Sequence, residues 1–204
     1  MKQLSTYITE GLKIGKKYRK PITYRPKTKE ELLEIIIQLL KERGPNADLN
    51  DIDVSEITDM SLLFYKLNPY NIDISEWDVN NVTNMKWMFF YCKNFNSDLS
   101  EWNVSKVTNM EGMFTGCYNF NSDLSDWDVS NVTNVRNMFF DCYNFNSDLS
   151  DWDVSNVTDM KRMFYNCKEF NSDLSQWDVS KVNYMDYMFK NCDSLKNIPS
   201  WYKR

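Results

Sequence analysis

The sequence contains no histidine among its 204 residues, and glycine and proline occur only five times each. The absence of histidine excludes Ser-His-Asp and Cys-His catalytic arrangements, histidine general bases and mixed Cys/His zinc sites. The scarcity of glycine and proline argues against a linker-rich or disordered chain, because such segments are enriched in one or both residues. Apolar residues make up 42% of the chain, which is enough to build a core.

Signals for export are also missing. The first twenty residues lack the apolar segment of a secretory signal peptide, and no apolar run approaches the length of a membrane span. We therefore expect a cytoplasmic protein.

Charge is divided unevenly along the chain. Residues 1–29 hold nine lysines and arginines against one acidic residue, Glu10, whereas the remainder holds 15 basic and 28 acidic residues. A basic arm on an acidic body indicates an interaction with a partner.

A unit of 25 residues recurs along most of the chain, with the pattern F-N-S-D-L-S-x-W-D/N-V-S-x-V-T-x-M-x-x-M-F-x-x-C. Its tryptophans are Trp77, Trp102, Trp127, Trp152 and Trp177, and its cysteines are Cys92, Cys117, Cys142, Cys167 and Cys192. A degenerate first copy has Ile52 and Leu67 at the tryptophan and cysteine positions, and the last copy has one residue deleted before Trp201. Such periods indicate a stack in which each unit buries its apolar residues against the next.

The apolar spacing changes within each unit. Apolar residues recur every two or three positions over 99–107, which favours a short strand, and every three or four over 107–117, which favours a short helical turn. We therefore predict an α/β fold, a leucine-rich-repeat-like solenoid with one short strand and one short helical turn per repeat. Neighbouring strands would stack at roughly 4.8 Å.

The run L-S-x-W-D-V-S-x-V-T-x-M-x-x-M-F-x-x-C resembles the BspA-type leucine-rich repeats of bacterial surface proteins and covers about residues 52–201. The resemblance implies a right-handed solenoid with a parallel sheet along one side. It also implies binding of a protein or another ligand, often at a cell surface.

A capping-box pattern, Thr28-Lys29-Glu30-Glu31, precedes a strongly apolar segment and the stop signal Gly44-Pro45. This predicts a helix over 29–43 that seals the N-terminal end of the repeat core; an alternative is a helix that binds a partner. The expected domains are a basic arm (1–27), the capping helix with its connection (28–50) and the repeats (51–204).

Two repeated residue types invite a chemical interpretation. The cysteines are 25 residues apart, so they form no metal-binding Cys-x-x-Cys, and we expect a buried ladder rather than disulfides. The aspartates Asp98, Asp123, Asp148 and Asp173 suggest a calcium site, but turn aspartates more often accept hydrogen bonds from nearby backbone amides. We predict no metal, no cofactor, no small-molecule substrate and no catalytic residue.

Binding residues are expected where the copies differ. The candidates are the aromatic and basic residues of the helix-side positions and three acidic residues of the strand side: Trp87, Phe90, Tyr91, Arg136, Phe140, Arg162, Tyr165, Tyr187, Glu101, Asp126 and Asp151. A second candidate site is the basic arm, with Lys13, Lys16, Lys17, Arg19 and Lys20.

These patterns predict a non-enzymatic scaffold that binds a protein partner. The alternative is a protein that associates with nucleic acid or an anionic membrane through residues 1–29. The oligomeric state is left open.

Overall fold

The computed structural model describes residues 20–67 and 69–203. In this part of the chain one helix is present, α1 (Lys29–Arg43), with the bounds that the capping pattern predicts. The side chain of Thr28 accepts a hydrogen bond from the Glu31 amide, and the Gly44 amide donates to Leu40 O at the other end. At 15 residues, α1 falls short of the length that a bilayer requires, and the described residues include no helix that could span a membrane.

The residues before α1 lie along the first repeat. The amides of Thr23 and Tyr24 both donate to Asp51 O, and the Asp53 amide donates back to Tyr24 O. Ion pairs join Arg25 to Asp53 and Lys27 to Glu56. Helix α1 buries Leu32, Ile36 and Leu39 completely in the repeat core. One end of the core is therefore covered by a helix and a basic segment.

The repeats form a stack of six coils, which we number from coil 1 (51–75) to coil 6 (176–200). Parallel bridges join Asp59 to Asn84, and residues 25 positions apart continue the series through Asn109, Asn134, Asp159 and Tyr184. At these junctions the described residues form single bridged pairs and no extended strand. The strand expected over 99–107 is thus reduced to one residue per coil, at the position of Asn109.

The expected helical turn is also replaced, by overlapping β-turns. In coil 2 the amides of Met88, Phe90 and Cys92 donate to the carbonyls of Met85, Trp87 and Phe89. Each donation spans three residues, so the apolar spacing resembles that of a helix, but left-handed residues interrupt the backbone. We call this segment of each coil the turn edge: residues 60–67, 85–92, 110–117, 135–142, 160–167 and 185–192.

Backbone hydrogen bonds run in one direction between neighbouring turn edges. The amides of Met85, Trp87, Phe89 and Tyr91 donate to carbonyls of coil 3 at 2.8–2.9 Å. Coils 3, 4 and 5 each repeat the four bonds to the next coil. Alternate turn-edge amides of coils 2 to 5 are therefore satisfied by the following coil.

Columns of identical side chains fill the core. Phe89 and Phe114 stack with ring centroids 5.5 Å apart, and Phe139, Phe164 and Phe189 continue the column. The indole of each repeated tryptophan donates to a leucine or isoleucine carbonyl 28 residues earlier, as Trp127 does to Leu99 O at 3.0 Å. Trp201 keeps this contact, to Leu174 O at 2.9 Å, despite the deleted residue.

Candidate functional site

The exposed positions of the turn edge have an unusual backbone. Two residues per coil have positive φ, and in coil 2 these are Trp87 and Tyr91, both at 58°. The equivalent positions are Leu62 and Lys66, Gly112 and Gly116, Asn137 and Asp141, Arg162 and Asn166, and Tyr187 and Asn191. They coincide with positions at which the copies differ. The scaffold therefore presents its variable side chains from a fixed left-handed backbone that bulky residues rarely adopt.

Three of the predicted residues form an aromatic cluster on coil 2. The Phe90 ring meets Trp87 and Tyr91 edge-on, with centroids 4.5 and 4.6 Å away. The other two rings lie over the glycines of coil 3, where a Cβ at Gly112 would be 3.0 Å from Trp87 and one at Gly116 would be 2.9 Å from Tyr91. This cluster fills the groove that the glycines leave open.

Four further predicted residues come together on coils 4 to 6. Phe140 and Tyr165 stack with centroids 4.8 Å apart, and the Arg162 guanidinium lies 5.7 Å from the Tyr187 ring centre. Lys190 joins them, with its ammonium 5.6 Å from the Tyr165 centroid and 5.5 Å from that of Tyr187. These five residues line an open cleft of about 380 Å³, which we call the cationic cleft.

Lys190 is the residue that the sequence-based set missed. It occupies the repeat position of Phe140 and Tyr165, so its place in the cluster is visible from the period alone. At this repeat position Phe140 and Tyr165 were selected for their aromatic rings, and Lys190, which has a charge instead of a ring, was not. Conversely, Arg136 lies outside the cleft and is 3.9 Å from an Asp159 oxygen.

The acidic candidates occupy a separate column. Glu101, Asp126 and Asp151 are exposed at equivalent positions of coils 3, 4 and 5. None of them lines the cationic cleft. The predicted acidic and aromatic candidates thus fall into two surfaces rather than one.

The repeated aspartates hold turns together. Asp123 accepts from the backbone amide of Ser125 at 3.0 Å, and the pKa of its carboxyl lies below the ordinary value chiefly because of the backbone and side-chain hydrogen bonds of Ser125. Asp148 and Ser150 repeat the arrangement. Within residues 20–67 and 69–203, no group of three or more carboxylates and thiols is arranged to hold a metal ion.

The five cysteines are free and form the expected internal ladder. Each thiol donates to a phenylalanine carbonyl of the preceding coil, as Cys142 does to Phe114 O at 3.0 Å. Burial raises the pKa of Cys92 and of Cys192 to about 12 and that of the three between them well above the ordinary value. These thiols therefore stay protonated at neutral pH and lack the thiolate that a nucleophile needs.

One of the five residues of the predicted basic-arm site is described. Lys13, Lys16, Lys17 and Arg19 lie outside the described residues. Lys20 is described, and its ammonium is 3.1 Å from Asp48 and 3.8 Å from Asp51. This one member of the arm is paired within the chain.

Comparison with protein families adds one finding. A family described as Mycoplasma protein of unknown function, DUF285, matches residues 37–142 and 122–203. The chain belongs to this family. The two DUF285 matches begin within α1 and together cover the coils, so membership rests on the repeats and includes both the cationic cleft and the acidic column. No curated protein and no solved structure matches this DUF285 chain.

Proposed function

We propose that this DUF285 member is a non-enzymatic scaffold that binds a protein partner through its turn edge. The proposal includes a right-handed solenoid of the BspA-like leucine-rich repeat type. Support for that class comes from the 25-residue unit and the parallel bridges between residues 25 positions apart. The handedness and the relation to BspA repeats belong to the proposal.

One observation carries the binding role. Positions at which the copies differ project from the turn edge, whereas the repeated tryptophans, phenylalanines and cysteines are used in the core. Aromatic and basic side chains, the types that dominate binding energy at protein interfaces, gather there. Tyr187 is 53% exposed and Tyr91 is 43% exposed, so these rings are accessible to a partner.

The test is site-specific photocrosslinking in cells that naturally produce the chain. The photoreactive analogue benzoylphenylalanine replaces Tyr187 on the turn edge in one variant and Asp126 in the acidic column in the other. We expect a defined crosslinked protein from the Tyr187 position and none from Asp126. A product from Asp126 alone would move the interface to the acidic column.

A full-length variant with a neutralised basic arm distinguishes binding through the arm from binding through the turn edge. Replacing Lys13, Lys16, Lys17 and Arg19 with glutamine leaves every described contact in place. We expect the Tyr187 crosslink to persist in this variant. Its loss, together with loss of nucleic-acid or anionic-vesicle binding, would favour the arm as the functional element.

A further inference from the structure

We infer that the C-terminal coil binds an acidic polypeptide segment, with a partner carboxylate held in the cationic cleft and partner carbonyls held by the open turn edge. This inference rests on the proposed function and specifies the chemistry of the partner. Three features of coil 6 and its neighbours carry it.

The first feature is a pair of uncompensated cations. Neither Arg162 nor Lys190 forms an ion pair with any carboxylate of residues 20–67 or 69–203. The Nε of Arg162 is buried and, among the same residues, has no hydrogen-bond partner. A carboxylate placed in the cleft would supply the negative charge that both cations lack.

The residues around these two cations favour a ligand in which an acidic side chain lies next to an apolar one. Three aromatic rings, those of Phe140, Tyr165 and Tyr187, form the remaining walls. The cleft volume lies at the lower end of the range for ligand sites, which suits one side chain and its neighbour. A glutamate or aspartate beside an apolar residue fits this combination.

The second feature is a row of free backbone donors. In coils 2 to 5 four alternate amides of each turn edge donate to the next coil, whereas the equivalent amides of coil 6, those of Met185, Tyr187, Phe189 and Asn191, donate to no residue in the described part of the chain. The interior junctions show what fits such a row: backbone carbonyls spaced at alternate residues. A polypeptide supplies these carbonyls, and a nucleic acid does not.

The third feature is a hollow beside the donors that is lined by both apolar and polar residues. A cavity of about 670 Å³ is lined by residues that include Met185, Phe189, Ile198 and Tyr202. Tyr187 and Lys190 line both this cavity and the cationic cleft. A bound segment can therefore place an apolar side chain in the cavity and an acidic one in the cleft.

Charge decides among possible occupants. The basic arm of the same chain has the wrong sign for Arg162 and Lys190. Residues 30–204 carry 28 acidic against 15 basic residues, so an extended polyanion such as nucleic acid is repelled by most of the surface. A short acidic segment of a protein brings one carboxylate to the cations without the long run of negative charge that a nucleic acid carries.

The experiment uses the full-length chain and two blocked peptides, acetyl-Gly-Leu-Glu-Leu-Gly-amide and the same peptide with glutamine. Binding is followed by chemical shifts of the backbone amides in a ¹⁵N-labelled sample. We expect the glutamate peptide to bind about three- to tenfold more tightly, which is the range for one accessible charge pair with a cation–π contribution. The amides of Met185, Tyr187 and Phe189 should shift, and their equivalents in coil 3, Met110, Gly112 and Phe114, should not.

A matched pair of variants tests the cleft. Lys190→Gln is expected to remove the preference for glutamate. Lys168→Gln should retain it, because Lys168 lies outside the cleft although its ammonium is also over a tyrosine ring, 5.5 Å from the centroid of Tyr143. Both lysines are exposed, so neither change endangers folding.

Several results would overturn the inference. Equal affinity for the two peptides, or equal loss in the two lysine variants, would show that the cleft does not select a carboxylate. Tighter binding of a twelve-residue thymidine oligonucleotide, lost in Lys190→Gln, would make the site one for nucleic acid. A Tyr187 crosslink that persists alongside either result would leave the scaffold proposal standing and refute only the acidic partner.

Discussion

Single residues of the turn edge combine backbone strain with close packing. A left-handed conformation costs a non-glycine residue roughly 1–2 kcal/mol, and in coil 2 the tryptophan and tyrosine that adopt it are partly covered by contacts with coil 3. Coil 3 avoids the cost by placing glycine at both positions. The glycines thus serve two purposes, since they also make room for the rings of coil 2.

The first prediction distinguishes, at Gly112, the relief of backbone strain from the space left for the Trp87 ring. We expect Gly112→Ala to lower the free energy of unfolding by about 1–3 kcal/mol, from left-handed strain and from the clash with the Trp87 ring. Urea denaturation followed by circular dichroism measures the change. In a Trp87→Ala background the clash is gone, so the cost of Gly112→Ala should fall; an unchanged cost would mean that strain alone matters.

The second prediction concerns Asp51, which is almost fully buried where α1 meets coil 1. Its carboxylate accepts two hydrogen bonds from Arg43 at 2.7 and 2.8 Å, and this contact is the main reason that the pKa of Asp51 lies below the ordinary value. A lowered folded-state pKa stabilises the protein above the unfolded-state pKa, and the contribution is lost as pH falls through the folded-state value. Asp51→Asn should therefore cost about 1–3 kcal/mol at pH 7, the range for a charged hydrogen bond.

The pH profile provides the control for this prediction. The unfolding free energies of the two proteins should begin to converge below about pH 4, where an ordinary aspartate becomes protonated, and should meet only once the pH falls below the lowered folded-state pKa of Asp51. Urea denaturation between pH 7 and pH 3 measures both curves. A difference that stays constant with pH would exclude an electrostatic origin.

At the scale of elements, α1 is a cap whose two faces differ sharply. Ile36 is completely buried in the repeat core, and the adjacent Ile37 is only partly buried. Truncation of each isoleucine to alanine removes the same atoms from a fully buried and from a partly buried position of one helix.

The third prediction follows from that pair. We expect Ile36→Ala to cost about 2–5 kcal/mol, as truncations of fully buried isoleucines do. Ile37→Ala should cost clearly less, and both are measured by urea denaturation. Similar losses would indicate that helix propensity, rather than sealing of the core, determines the contribution of α1.

The elements also show where sequence reasoning succeeds and stops. The bounds of α1 follow from Thr28 and Gly44, since capping residues carry a local signal. The apolar spacing of the turn edge predicted a helical turn. Overlapping β-turns bury side chains at nearly the same spacing, so this pattern does not distinguish the two structures. Nothing in the sequence marks Trp87 or Arg162 themselves as left-handed, although glycine, asparagine or aspartate, which adopt that conformation more readily, occupy six of the equivalent positions.

The candidate site was anticipated as a set of residues but not as an arrangement. Variation between copies singled out positions of the turn edge. Trp87 forms a cluster apart from the cationic cleft because coil 3 supplies the glycines over which its ring lies. Arg162 and Lys190 lack an ion pair within the described residues because the neighbouring coils place no carboxylate beside them. Both are properties of stacking, so no single repeat contains them.

At the scale of the whole molecule, stability is a sum over junctions. Each interior junction repeats the same four turn-edge hydrogen bonds and the same aromatic contacts. Arrays of this kind behave as chains of nearest-neighbour interactions.

The fourth prediction tests this additivity. Deleting residues 126–150, one complete coil, joins coil 3 to coil 5 and should give a folded protein with a smaller denaturant dependence of unfolding. Deleting residues 126–147 instead shifts every later column by three residues and should abolish cooperative unfolding. A folded product from both deletions would contradict strict registry between coils.

The one-way donation of turn-edge amides also gives the stack a mechanical direction. Ring stacks and hydrogen bonds lie between coils, so a force applied at the C-terminal end acts on one junction at a time and peels coils in sequence. Each released coil lengthens the chain by about 80 Å, since an extended residue spans roughly 3.3–3.6 Å. At the opposite end α1, the ion pairs of Arg25 and Lys27 and the buried Asp51 anchor the chain. A partner that pulls on this molecule would thus extend it stepwise from coil 6, while coil 1 holds its place.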